Sequence, residues 1–413
     1  MAERKTASRV EIARRVEYWR KRRGMTRQLF ADRMGRSVSW VDMIRRGDRQ
    51  LDRLSVLEQI ADVLAVSVYA LIDRAHAQRA AECVDAAEVT GIKDALQRYD
   101  CITRVFSPGT RQSEPNIPRL RQQVDYAWRA FQSSHYSVLG PLLGQLLIQA
   151  QRATIASTGE DQRVAEILLA QVYQIATSTL RKLGHHDLEW LAAERGVAAA
   201  ERTENPILIG GSAFRLVNAL RATNGAKAAV EAATTSAHRL QRALDVTRPE
   251  PTSLYGTLFL QGAIAAGLNR EPQQVTSFLN EASTLATRLG ADRNDYWTAF
   301  GPTNVNIHRV SAYVALREWH AAVTVAEQMD QHALSRLPKE RRANHLVDVA
   351  RAHAMGAQTD EAIADLLQAD ALAPKEVRCR PIAGDLVRDL WRQSRAAPSP
   401  GLQRLVETIG LPA

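Results

Sequence analysis

A chain of 413 residues exceeds what one compact core usually holds, so two or more domains or a repeat array are expected. Hydrophobic residues make up 45%, enough to fold throughout, while three scattered cysteines (Cys83, Cys101, Cys379) argue against a disulfide framework or a thiolate zinc site. The net charge is +9, and residues 1–80 hold 18 Lys/Arg against 10 Asp/Glu, a surplus of +8: the pattern of a small polyanion-binding module on a near-neutral body.

The N-terminus is charged (Glu3, Arg4, Lys5, Arg9) with no apolar run behind it, so it does not read as a signal peptide. Five short helices follow. The first spans 10–22, with Val16 and Trp19 inward. Thr26 caps a second over 27–34, carrying Leu29, Phe30 and Met34. Gly35-Arg36 form a tight turn, Ser37 caps a third helix over 38–45, and Gly47 stops it. A fourth over 53–65 carries Leu57, Ile60, Ala61 and Leu64 on one stripe, and Ser67 opens a short fifth through Leu71.

Two short helices on a tight turn, inside a basic five-helix domain, are the helix-turn-helix layout, whose second helix enters the major groove. The stretch "RKRRGMTRQLFADRMGRSVSWVDMIRRGDRQLDRLSVLEQIADVLAVSVYAL", residues 20–71, resembles the phage-repressor-like (XRE) helix-turn-helix family. The resemblance implies DNA-binding positions at Arg27, Arg36, Val38, Ser39, Asp42, Arg46 and Arg49. Val38, Ser39 and Asp42 would meet base edges, and Arg27, Arg46 and Arg49 would meet phosphates. Asp42 either accepts from a cytosine amine or pairs with a neighbouring arginine. Trp40 is bulky for its place and is expected to pack under the turn. The family's ion pair between an Arg late in helix one and a Glu late in helix three cannot form here, because Arg45 stands where the Glu is expected. Either Arg20 or Arg45 is then freed for phosphate, or another acid compensates.

The first domain is therefore expected over 1–73. Residues 74–121 read as a connector, a helix through about 104 and then the Pro-rich "SPGTRQSEPNIP". From there to 413, helix pairs recur every ~34–45 residues with no strand signal. Their turns fall at Gly184, at Gly225 and at Asn269/Pro272, and a last pair to Ile409 caps the array. Trp128, Gly184, Ala192, Pro206, Gly356, Ala362 and Pro374 resemble, in degenerate form, the tetratricopeptide pattern over about 122–375. The expected fold is all-α: a five-helix helix-turn-helix domain followed by a right-handed, tetratricopeptide-like α-solenoid whose first helices line a groove.

Ligand candidates sit on those first helices. "NDYWTAFGPTNVNIHRV" is unusually aromatic, and Asn304 and His308 share a face at i and i+4, near Trp297. Arg215 and Asn218 form a similar polar pair. For each of the five the competing role is a surface or capping one. No P-loop, H-E-x-x-H, G-x-S-x-G or Cys-x-x-Cys is present, so no enzyme, cofactor or metal site is expected. No stretch reaches the ~18 apolar residues of a membrane span, so a cytoplasmic, nucleoid-associated protein is expected.

Together, the two resemblances look like the peptide-sensing (quorum-sensing) regulators of Gram-positive bacteria. High Arg and Ala content points to a GC-rich, actinobacterial genome. They imply a homodimer on an inverted-repeat operator and a peptide or small-molecule effector in the repeat groove. The alternative is a DNA-tethered scaffold that binds a protein partner and has no small effector.

Overall fold

The computed structural model describes residues 9–98, apart from 50, 52, 74–76, 78, 79 and 82, and residues 115–410, apart from 224 and 395–397. Among the described residues every regular element is helical, as expected of an all-α chain. Two compact units are present, Met1–Thr90 and Gly91–Ala413.

The first unit holds α1 (Arg9–Arg22), α2 (Arg27–Arg33), α3 (Val38–Arg46), α4 (Leu54–Leu64) and α5 (Tyr69–Ile72). Local chemistry sets the boundaries. The Thr26 hydroxyl accepts from Leu29 N at 3.1 Å, and the Ser37 hydroxyl accepts from Trp40 N at 3.2 Å, so each hydroxyl satisfies a first-turn amide. Gly47 closes α3 at φ +80°, a left-handed geometry that glycine adopts without penalty. The five helices bury one core around Val16, Trp19, Phe30, Met34, Ile44, Ile60, Leu64 and Leu71. Burying each of these large side chains contributes roughly 1.5–3 kcal/mol. The unit continues past residue 73 to the first turn of α6 (Ala86–Gln97), where Asp85 and Glu88 cap each other's amides at 3.0 and 3.2 Å. Arg22 at the end of α1 grips both Glu88 oxygens at 2.6 and 2.9 Å, with both side chains buried.

The second unit contains the helix pairs. They are α7 (Ile117–Gln132) with α8 (Tyr136–Ala156), α9 (Gly159–Leu183) with α10 (His186–Arg202), and α11 (Pro206–Ala222) with α12 (Ala226–Ala243). Next come α13 (Pro249–Leu268) with α14 (Pro272–Leu289), and α15 (Pro302–Leu316) with α16 (Trp319–Glu327). After α17 (Gln331–Arg336) stand α18 (Lys339–Met355) with α19 (Thr359–Leu372), then α20 (Pro374–Arg378), and finally α21 (Pro381–Gln393) with α22 (Pro400–Ile409). The turns fall where Gly184, Gly225 and Pro272 place them; the short α17 and α20, and a 3-10 turn at Asp295–Trp297, have no counterpart in the sequence reading. Apart from the short α17, which α16 bypasses to pack on α18, each helix packs on the next, and the first helices also pack on one another: α9 on α11, α11 on α13, α13 on α15, α15 on α18. Helix α7 also meets α18. Small residues permit these approaches. A Cβ on Gly256 would lie 2.0 Å from Phe300 Cζ, so α13 tolerates no side chain there.

Residues 107–114 of the Pro-rich stretch, and Cys101, lie outside the described residues. Cys83 and Cys379 are each disulfide-bonded, although the few, scattered cysteines argue against a disulfide framework. Among the described residues no helix is long and apolar enough to cross a membrane.

Candidate functional site

In the first unit, α3 presents a mixed face. Trp40, Val41 and Ile44 are buried, as expected for Trp40, and Val38 is half-buried against the same core. Ser39, Arg45, Arg46 and Arg49 are exposed. Asp42 Oδ1 accepts from Arg27 Nη1 at 3.0 Å and stands 3.6 Å from Arg45 Nε. The hydrogen bond from Arg27, with the nearby Arg45 and Arg46 charges, holds the Asp42 carboxyl below its usual range. Of the two roles open to Asp42, arginine pairing is the one present in the free protein. Arg46 lies 3.8 Å from Asp48, and the Arg36 guanidinium stands 5.9 Å from the Trp40 ring, half-wrapping the turn. The rim of α3 is thus basic, and the acid within the helix, Asp42, is already matched.

The missing family ion pair is replaced locally. Arg20 donates to Glu17, one turn earlier on α1, at 2.9 and 2.7 Å, and also to the Met25 carbonyl. The bond to Arg20 depresses the Glu17 carboxyl, and Arg20 is 8% exposed. Another acid therefore compensates, and of the two arginines only Arg45 is left on the surface.

In the second unit one cavity, of about 320 Å³, draws its walls from the first helix of successive pairs: α9, α11, α13, α15, α18 and α21. Six cations line it: Arg181, Lys182, Arg221, Arg341, Arg351 and Arg380. Two carboxylates join them, Glu340 and Asp348. Three of these groups, Lys182, Glu340 and Arg380, join the buried Glu376 in an ionic joint. Lys182 Nζ bonds Glu340 and reaches Glu376 at 3.0 Å; Arg380 meets Glu376 at 2.8 Å; and Ser134 and Tyr136 donate to the same Glu376. Burial opposes charge on Glu340, yet Lys182 and Arg341 outweigh it and hold the carboxyl at about 2. Burial, with Arg380 close by, lowers Lys182. Lys182, Glu340 and Glu376 lie on three separate helices, so the periodicity of a single helix does not reveal the joint.

Of the five predicted ligand residues, Asn218 and His308 line this cavity. His308 Nδ1 bonds the Asn304 carbonyl at 2.9 Å, and its Nε2 faces Gln261 at 3.2 Å; burial, then the nearby Arg341, lowers its pKa to about 3. Asn304 is fully buried and donates to the Thr298 carbonyl, and it does not line the cavity. Arg215 and Trp297 lie elsewhere, meeting through Trp128. The Arg215 guanidinium stands 4.8 Å from the Trp128 ring centre, and Trp297 stacks on that ring at 5.5 Å. Tyr296, Trp297 and Ala299 all take positive φ, so this loop is strained, and the Trp297 stack together with the Asn294–Gln132 amide pair holds it.

Residues 11–75 match the family model of a helix-turn-helix domain. No curated protein matches the chain. Two crystal structures are similar at low level. BtubC (BKLC) from P. vanneervenii is 12% identical, with 68% of this chain and 94% of that one covered and a TM-score of 0.34. Bacillus thuringiensis PlcR, in complex with the peptide PapR7 and DNA, is 13% identical, with 84% and 98% covered and a TM-score of 0.33. Neither superposition is close enough to assign a role.

Proposed function

We propose that the chain is a sequence-specific DNA-binding transcriptional regulator, dimeric on DNA, whose tetratricopeptide-like, right-handed helical-repeat unit senses a small effector. The observation that carries the reading is the helix-turn-helix match over residues 11–75, joined to the basic, exposed rim of α3. Ser39 and Val38, in the first turn of α3, take base contacts, while Arg36, Arg46 and Arg49 take phosphates. Arg27 leaves Asp42 for a phosphate, and this frees the carboxylate for a cytosine amine. The cavity of the second unit supports sensing, because all the first helices from α9 to α21 contribute to it and an occupant would touch each. Asn218 and His308 serve as ligand contacts there, Asn304 holds the His308 ring through its carbonyl, and Arg215 and Trp297 pack outside the cavity on Trp128. A cytoplasmic, nucleoid-associated place follows from this role.

Selection of duplexes from a random pool by the full chain tests the reading. The expected outcome is a two-fold symmetric site with half-sites about 34 Å apart, bound with steep salt dependence. Ser39→Ala should relax preference at one base pair by about 1–3 kcal/mol, and Arg46→Ala should weaken all sequences alike. Enrichment no better than chance would end the proposal.

A further inference from the structure

The charges around the second unit's cavity do not balance. Against six lining cations stand Glu340 and Asp348, together with Glu376 and Glu189, which act on the same cations. Arg351 is matched by Asp348 at 3.0 Å, and Lys182 and Arg380 by the buried joint. Arg181 and Arg221 have no carboxylate within 4 Å among the described residues; Arg221 instead donates to Asn218 at 2.7 Å. Arg341 Nε stands 4.0 Å from Glu340, beyond hydrogen-bond reach, and the buried Nε atoms of Arg221 and Arg341 have no protein acceptor. Burial, and Arg181 nearby, bring Arg221 down to about 10, so it remains a cation at neutral pH. Arg221, Arg341 and His308 all line this one cavity. A guanidinium Nε that is shielded from water and has no acceptor loses little hydration when an arriving anion forms a charge-assisted bond to it.

The cavity also has aliphatic surface. Ile264 and Leu268 lie one turn apart on α13, and Ile307 and Ala315 lie about two turns apart on α15, beside the polar Gln261, His308 and Ser311; no Phe, Tyr or Trp lines the cavity. Leu268 is 47% exposed at its edge. A volume of about 320 Å³ suits a small molecule, at the lower end of ligand pockets, and is too small for a folded partner.

We propose that this cavity binds a small organic anion, a carboxylate or phosphate head on an aliphatic body, with the head between Arg221 and Arg341 and the body along Ile264, Leu268 and Ala315. The proposal rests on the reading of the cavity as the sensing site. An alkyl carboxylate and an alkyl phosphate share this chemistry, and titration of the full chain distinguishes them.

The probes for isothermal titration calorimetry are hexanoate, hexyl phosphate and hexan-1-ol. At least one anion should bind about tenfold or more tightly than the alcohol, and whichever anion is preferred identifies the head group. Arg341→Gln should weaken that anion about tenfold, as should Arg221→Gln, with Arg221→Lys restoring part of the loss. If Arg221→Gln fails to fold, Arg341→Gln carries the test. Equal binding of alcohol and anions, no binding of any probe, or wild-type affinity in Arg341→Gln overturns the proposal. An anion that binds without changing DNA affinity leaves the site standing and defeats the sensing reading instead.

Discussion

Replacing Lys182 by Met perturbs the ionic joint that ties α8, α9, α18, α20 and α21 together. Methionine keeps the length of the stem and removes the charge and its donors. Lys182 stands between Glu340 and Glu376, and none of the three side chains exceeds 5% exposure. Glu376 would keep Arg380 at 2.8 Å and the hydroxyls of Ser134 and Tyr136. Glu340 would keep Arg341 at 4.0 Å, so it is the charge left stranded. Breaking a buried pair from one side costs about 3–5 kcal/mol. At about 2 °C per kcal/mol, the slope of a long chain, the larger unit should melt about 6–10 °C lower. Differential scanning calorimetry of the full chain at neutral pH reads this shift. The double variant Lys182→Met with Glu340→Gln leaves no stranded charge and should recover at least half of it. Acid should also narrow the gap between Lys182→Met and wild type. The Glu340 carboxyl, at about 2 when paired, contributes stability above its ordinary value that is lost as pH falls towards 2, whereas the unpaired one is already neutral there. A melting point within about 1 °C of wild type, or a double variant no better than the single one, would refute the reasoning.

Burial keeps His308 neutral down to about pH 3, whereas the unfolded chain protonates it near 6.5. Its contribution is intact above 6.5 and falls with pH by about 2 kcal/mol at pH 5, so Asn at position 308 should flatten the melting temperature between pH 7 and 5; parallel curves would place the imidazole in water. In the first unit, Glu17→Ala strips Arg20 of both carboxylate bonds and should cost about 1.5–3 kcal/mol, measured by chemical denaturation, while exposed Arg45→Ala should cost under about 0.5 kcal/mol. Equal losses from the two would mean that Glu17 is not the compensating acid.

Much of the architecture was legible because it is local. Thr26, Ser37 and Gly47 mark helix ends through their own backbones, and Pro206, Pro272 and Pro302 start helices for the same reason. The stripe of Leu57, Ile60 and Leu64 needs only a period of 3.6 to declare its buried side. Trp40 could be placed in the core because a large indole beside a turn has nowhere else to go. The sequence likewise determined that the basic surplus belongs to the first unit.

Tertiary structure decided the pairings. That Glu17 takes over from the missing acid needs the rotamers of α1, not only its spelling. Asp42 could hold a base or an arginine, and only the approach of α2 to α3 put Arg27 within 3.0 Å. Asn304 and His308 share a helical face, yet the turn of α15 against the strained loop before it buries one in the wall and sends the other to the cavity. Lys182, Glu340 and Glu376 are about 160 and 190 residues apart, and nothing in a helical period relates them. Charges so distant in sequence are brought together by the stacking of helix pairs, and the low dielectric of the packed interior then makes their balance matter.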